Sequence, residues 1–359
     1  MKMEYANRLI RRYKTVRSIM RLQNIYTGSY AFVGTGSHSV DNLYPVLSYL
    51  NVPVKYICCR SPAKLRLIQR RCPDVRVTVS LDEILADGDV SGVFVSASPE
   101  SHFALASEVL DSGKPLFVEK PPCPSAEHLR QLIDKTRRHR PRVVMAGMQK
   151  RYSPATGILS ARLRRGGCTS YNLRYLTGLY PEGDALSGLF IHPLDYVTFL
   201  FGRATVLCAE CLRTSGGGIT LMLMLRHSCV SGVLELSTSY SWTGAREEIT
   251  VSTARGTYTL RQMEELVYTP RQGSLFGIPV EKVFPRCRHD TVLFGRNSFV
   301  PLLSGNQLYV QGYFDEIKTF VDLAENKRGR NLSSLESLSC TYGLIDDIRA
   351  RIGRERVLL

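Results

Sequence analysis

From residue 30 to about residue 148, short β-rich apolar runs alternate with segments of helical periodicity. The pattern predicts strands over 30–33, 54–59, 75–79, 93–96, 116–118 and 143–148. Helical stretches such as "DNLYPVLSYL", "SPAKLRLIQR", "ESHFALASEVLDSG" and "SAEHLRQLIDKTRRH" fall between them. Strands separated by helices of this length read as βαβ units and a parallel sheet. After Tyr152 the rhythm changes. A strand-like "TSYNLRYLTG" precedes the helix "GLFIHPLDYVTFLFG", and then "ITLMLML", "VSGVLELSTSYS", "EEITVST" and "TYTL" follow with hairpin punctuation. That half predicts an α+β unit on an open, mostly antiparallel sheet. Two amphipathic helices, "QGYFDEIKTFVDLAE" and "SLESLSCTYGLIDDIRARI", come last. The fold class is therefore α/β, with a leader over 1–29, a first domain over 30–150 and a second over 151–335. A terminal helix over 336–359 is expected to pack back near the first domain.

At 359 residues, with 44% hydrophobic and 22% charged, the chain has the composition of a folded globular protein. Its ten cysteines show no framework spacing, and the lone C-x-x-C, Cys208 to Cys211, lacks the second pair that a four-thiolate zinc site needs. Reduced thiols and the lack of an apolar stretch of spanning length point to a cytoplasmic protein without stable membrane insertion. No metal site is expected. The net charge is +15, and residues 1–28 carry seven Lys/Arg against one Glu. Leu9, Tyr13, Val16 and Met20 recur at helical spacing there, with Arg8, Arg11, Arg12, Arg17 and Arg21 mostly on other faces. This basic amphipathic leader is expected to dock on its own domain rather than on a membrane. The remaining charge suits an anionic small ligand, and no zinc finger, RNP motif or aromatic-interleaved basic patch points to nucleic acid.

The stretch "FVGTGSHSVDNLYPVLSYL" supplies the first chemistry. Gly34, Thr35, Gly36, Ser37 and His38 follow a strand and open a helix, the setting a dinucleotide-binding turn requires. Gly34 permits the tight turn, Gly36 allows close backbone approach to a pyrophosphate, and the helix N-terminus offers free N–H groups. Ser39 replaces the third glycine and is small enough for its packing role. About twenty residues on, an NAD-preferring site places an acid on the ribose 2′-hydroxyl. Here the chain reads Cys59, Arg60, Ser61. An arginine and a hydroxyl there favour NADP over NAD.

Four segments in order resemble the Gfo/Idh/MocA oxidoreductases, the family of glucose–fructose oxidoreductase and inositol dehydrogenase. They are Gly34 to Ser39, Ser96 to His102 within "SASPESH", Glu119 to Pro122 in "EKPP", and "GMQKRYSPA" from Gly147. The resemblance covers most of the chain from Tyr30 onward and implies a Rossmann domain, a second domain whose open sheet forms oligomer contacts, and an active site in the cleft between them. It implies Lys120 beside the nicotinamide and substrate, Glu119 as an orienting group, and Ser96, Ser98 and Gln149 in the cofactor site. His192 matches the histidine of the family's D-x-x-x-H helix, but the acid position holds Gly188. Asp195, one turn later, is the acid nearest in sequence.

These residues together lead to an expected NADP(H)-dependent oxidoreductase, with NAD as the other cofactor. Hydride would pass between the nicotinamide and a hydroxyl-bearing carbon of a sugar, polyol or sugar derivative, with Lys120 and His192 moving the proton. Arg151, Tyr152, Arg174, Tyr180 and Asp195 are expected to hold substrate. A homo-oligomer, dimer or tetramer, is expected. Two alternatives share these motifs: an NAD(P)-dependent glycosidase of the same family, and a non-catalytic cofactor-binding regulatory protein.

Overall fold

The computed structural model describes residues 2–20, 25–284, 290–297, 299 and 305–355. A leading helix α1 (Lys2–Met20) precedes β1 (Ser29–Val33), whose C-terminal end opens into a helical turn, Ser39–Leu43, continuing as α2 (Tyr44–Tyr49). Then come β2 (Val54–Cys58), α3 (Pro62–Arg71), β3 (Arg76–Thr78), α4 (Leu81–Ala86), β4 (Val90–Val95) and α5 (Pro99–Asp111). β5 (Leu116–Val118), α6 (Ala126–His139) and β6 (Val144–Ala146) complete the first sheet. Its strands lie in the order β3-β2-β1-β4-β5-β6 and every pairing is parallel. This is the doubly wound order of a Rossmann domain, as the alternation predicts. The reversal of strand order beside β1 leaves a crevice at the strand C-terminal ends, where the glycine turn sits.

A 3₁₀ turn, Gln149–Tyr152, leads through α7 (Pro154–Leu163) into the second domain. That domain contains β7 (Cys168–Leu176), α8 (Ala185–Gly188), α9 (Ile191–Phe201), β8 (Thr205–Arg213), β9 (Ile219–Arg226) and β10 (Ser231–Ser237). β11 (Arg246–Thr253), β12 (Gly256–Arg261) and β13 (Glu265–Pro270) follow, then a small hairpin of β14 (Ser274–Leu275) and β15 (Ile278–Pro279), α10 (Val280–Val283) and β16 (Thr291–Gly295). The eight-stranded sheet runs β16-β13-β12-β11-β7-β10-β9-β8, and only β7–β10 is parallel. The mostly antiparallel sheet is thus as expected. β8, β13 and β16 were not among the expected strands; β8 in particular alternates thiols and charges with apolar residues, so its apolar signal is diluted.

The last helices, α11 (Gln307–Val310), α12 (Tyr313–Ala324) and α13 (Ser339–Glu355), depart from the expected boundaries. α12 belongs to the Rossmann core: Phe320 packs edge-on against Phe94 at 4.9 Å and touches Phe117 and Tyr30. Burying one such ring is worth about 1.5–3 kcal/mol. α13 packs on β8 and α9, with α6 also beside it. Tyr342 on α13 donates to the Cys123 carbonyl at 2.7 Å, which ties the second domain to the loop following Glu119 and Lys120.

The leader does not dock. Leu9, Tyr13 and Val16 are 50%, 65% and 48% exposed, so their apolar stripe has no partner among the described residues. Arg21 and the side chains of Arg17 and Met20 lie outside the described residues.

Candidate active site

Gly34 has φ +109°, and a Cβ there would lie 2.0 Å from the Ser96 carbonyl oxygen, so no other residue fits. A Cβ on Gly36 would meet nothing within 4 Å, which leaves its backbone facing open space. Ser39 is buried and its hydroxyl lies 2.9 Å from the Ser96 carbonyl oxygen, to which it donates, and 2.8 Å from the Ser96 hydroxyl. The replacement therefore pins the opening helix to the end of β4 by hydrogen bonding where a glycine would do so by close packing. Beside the turn lies a cavity of about 500 Å³ lined by Gly34 to Gly36, Arg60, Ser61, Lys64, Ser98 and Ser101. Ser61 caps α3 through the Lys64 amide. Lys64, one turn into that helix, is a cation that the sequence reading overlooked, although its offset from Arg60 places it on the same rim.

Thus the structure brings together Gly34, Thr35, Gly36, Arg60, Ser61 and Ser98 on one cavity, with Ser96 buried behind it. His38 stands at its inner end. His38 Nε2 is 3.5 Å from Glu119 Oε2, and the ring packs on Tyr313 at 5.8 Å. Burial works against its protonation, but the Glu119 carboxylate outweighs that and raises its pKa. Glu119 is itself buried, and burial pushes its pKa up, yet His38 and Lys120 hold it below the usual value. Gly147 makes room for it, since a Cβ there would sit 2.7 Å from the carboxylate. Gln149 donates to the Tyr313 hydroxyl at 3.3 Å, so it braces this group from below. His102, with its ring nitrogens 2.9 Å and 3.0 Å from the Pro121 and Ala97 carbonyl oxygens, clamps the two loops together.

The second half of the site comes from the other domain. Lys120 Nζ donates to the Gly188 carbonyl at the end of α8, 3.0 Å away. His192 follows on α9, buried, and its imidazole makes no hydrogen bond among the described residues. Burial first, then the positive charges of Lys120, Lys150 and His38, holds its pKa well below the ordinary value. Burial also lowers the Lys120 pKa, partly offset by Glu119 and Glu182. An imidazole and an ammonium group, each with its pKa lowered, thus face the same cleft.

Two neighbours complete it. A Cβ on Gly188 would fall 2.7 Å from the Tyr180 hydroxyl, so the phenol fills the space that a side chain at 188 would use. Lys150, which the sequence reading passed over between Gln149 and Arg151, is almost fully buried. It pairs with Glu247 of β11 and lies 4.6 Å above the Tyr175 ring.

Four expected substrate residues make other contacts. Arg151 forks onto Asp195, with Nε to Oδ2 at 2.8 Å, and also donates to the Leu332 carbonyl and Ser337 hydroxyl. Asp195 in turn accepts from Thr341 at 2.9 Å. Their polar atoms join α9 to the C-terminal segment, and Asp195 pairs with Arg151 rather than with His192. Tyr152 bonds Ser333 and Leu332 in the same joint. Arg174 lies on the opposite, open face of β7, paired with Glu235 at 2.7 Å, because it alternates with inward Leu173 and Tyr175.

Fold and site together define a two-domain protein with a nucleotide-binding Rossmann half and a sheet domain that closes over it. Residues 29–147, about a third of the chain, match the Gfo/Idh/MocA family model, an oxidoreductase family with an NAD-binding Rossmann fold. An inositol 2-dehydrogenase from Acidothermus cellulolyticus is 28% identical over 147 residues, 39% of this chain and 43% of its own length. The chain thus aligns with less than half of that relative. A dehydrogenase from Chromobacterium violaceum superposes with a TM-score of 0.76 at 19% identity, covering 93% of this chain and 98% of the other. Levoglucosan dehydrogenase, solved with NADH and levoglucosan, superposes at 0.74 with 14% identity, covering 91% and 98%. At these identities the structural likeness is one of fold.

Proposed function

We propose that this protein is an NADP(H)-dependent oxidoreductase acting on a hydroxyl-bearing carbon of a sugar, polyol or sugar derivative. The observation that carries the reading is the meeting of Lys120 and His192 across the domain cleft, each biased toward its neutral form, next to a glycine turn open at Gly36. The residues fit a nicotinamide dinucleotide: the turn cradles a pyrophosphate, and Arg60, Ser61 and Lys64 form a cationic, hydroxylic rim suited to a 2′-phosphate. When bound, that cofactor takes up or gives back hydride. The protein's own contribution is proton handling and alignment. His192 or Lys120 accepts the hydroxyl proton during oxidation and returns it in reduction. The Lys120 ammonium also stabilises negative charge on the substrate oxygen, and the Gly188 carbonyl fixes its position. Tyr180, filling the place of the missing acid, offers a phenol for a second substrate hydroxyl. Glu119 and His38 act as an orienting pair behind Lys120.

No described helix is long and apolar enough to cross a membrane; with its scattered thiols, the protein is proposed to work in the cytoplasm. The exposed outer face of the second sheet, with Met222, Met224 and Val233, suits pairing with a second copy. The test is twofold. Quenching of protein fluorescence should show tighter binding of NADPH than NADH. Wild type should then reduce NADP in the presence of a member of a sugar and polyol panel, and Lys120→Met should abolish this while retaining cofactor affinity. Failure to bind either dinucleotide, or undiminished turnover by Lys120→Met, overturns the assignment.

A further inference from the structure

A second site lies at the far end of α7, about a helix length (~15 Å) from the cleft. There the inner face of the sheet, the end of α7 and the tip of the β11–β12 hairpin enclose a concavity of about 280 Å³. Arg162, Arg165 and Arg255 all line it, together with Tyr258, Tyr268 and Thr253, and no carboxylate is among the lining residues. By contrast Arg151, Arg174, Arg261, Arg296 and Arg349 each meet a carboxylate. These three have no ion pair among the described residues. Asp290, next to the lining residue Thr291, accepts from Thr269 at 2.7 Å. The C-terminal end of α7 favours cations in general but leaves the guanidinium forks without acceptors.

The walls are fixed rather than loose. Ala254 N donates to Gly167 O at 2.8 Å, binding the hairpin tip to the left-handed turn at Gly166 and Gly167 that ends α7. Tyr268 donates its hydroxyl to the Arg255 carbonyl at 2.8 Å, and its ring lies 4.7 Å from Tyr258, its cross-strand partner. Three converging like charges repel one another unless an anion lies between them, and guanidinium forks match phosphoryl oxygens.

We propose that this pocket binds a phosphate-bearing small molecule, with its phosphoryl group among Arg162, Arg165 and Arg255 and its organic part against the Tyr258–Tyr268 pair. The proposal is independent of the assigned activity. It is tested by calorimetric titration of the full chain with inorganic phosphate and with phenyl phosphate. Wild type and Gly36→Asp, in which the dinucleotide turn is blocked, should bind phenyl phosphate equally. Arg162→Ala/Arg255→Ala should weaken it at least tenfold. Arg255→Gln alone, at an exposed hairpin tip that folding does not depend on, should weaken it severalfold with an unchanged unfolding midpoint. Absence of binding by wild type, or binding that is lost in Gly36→Asp and kept in the arginine variants, overturns the proposal.

Discussion

Gly188→Ala tests how the cleft copes with its missing acid. The backbone at 188 accepts any residue, and alanine at this helical position gains up to about 1 kcal/mol over glycine. The added methyl, however, falls 2.7 Å from the Tyr180 hydroxyl oxygen and 3.2 Å from a ring carbon. Ordinary contact begins near 3.4 Å, so the phenol must retreat by about 0.7 Å. Tyr180 is half-buried in a loop, so the overpacking cost falls at the low end of about 1–3 kcal/mol and roughly cancels the helix gain. The unfolding midpoint should barely move. Activity should not be spared. Loss of one hydrogen bond from the phenol to substrate, about 0.5–1.5 kcal/mol, lowers kcat/KM severalfold to about tenfold. Tyr180→Phe should cost about the same, and the double variant no more than either alone, because both remove one contact. NADPH affinity, measured by fluorescence, should be unchanged in all three. Full multiplication of the two losses, or a fully active Gly188→Ala, refutes the idea that Tyr180 occupies the acid's place in the reaction.

Other outcomes follow from the same geometry. Arg60→Glu should weaken NADPH about 10–100-fold, as charge-assisted bonds to a 2′-phosphate are lost, and leave NADH within about threefold; parallel titrations decide it. Arg151→Met strands the buried Asp195 and should cost about 3–5 kcal/mol of stability in urea unfolding, with partial recovery on adding Asp195→Leu. The folded-state pKa of His192 lies well below its unfolded value of about 6.5. The native protein therefore binds fewer protons at that site between the two values. Its stability should rise with pH through that window and level off above about 6.5, and His192→Asn should flatten the rise in a series of unfolding curves. For the same reason kcat/KM should show no limb from His192 at neutral pH.

Much of this was legible in the sequence because it depends on local backbone chemistry. A strand, a glycine turn and a helix declare themselves in twenty residues, and the parallel sheet followed from the alternation alone. What escaped was anything set by long-range partners. Arg151 and Asp195 are 44 positions apart and consume each other's bonding capacity, which no local spacing reveals. Arg174 was misplaced for a simpler reason: strand alternation requires knowing which face is covered. α12 carries the amphipathic pattern of any surface helix, and only the aromatic cluster around Phe320 shows that it closes the Rossmann core. The leader has the periodicity of a docked helix, yet its apolar stripe meets no partner among the described residues.

Lys150 shows why the cleft works only as a two-domain object. It follows a Rossmann strand, yet its carboxylate partner, Glu247, belongs to the second domain, as do the Tyr175 ring beneath it and the His192 whose protonation it opposes. Lys120 repeats the arrangement: its backbone is held by Glu119 on one side and its ammonium by Gly188 on the other. Both cations thus span the same seam, and separating the domains would return each to water. The neutral bias of His192 is therefore a property of the closed pair. It follows that a substitution widening the seam without touching the cleft, such as Tyr342→Phe at the Cys123 carbonyl, should raise the His192 pKa toward 6.5. That shift is readable by NMR titration of the imidazole; an unchanged value would mean that burial within α9 alone sets it.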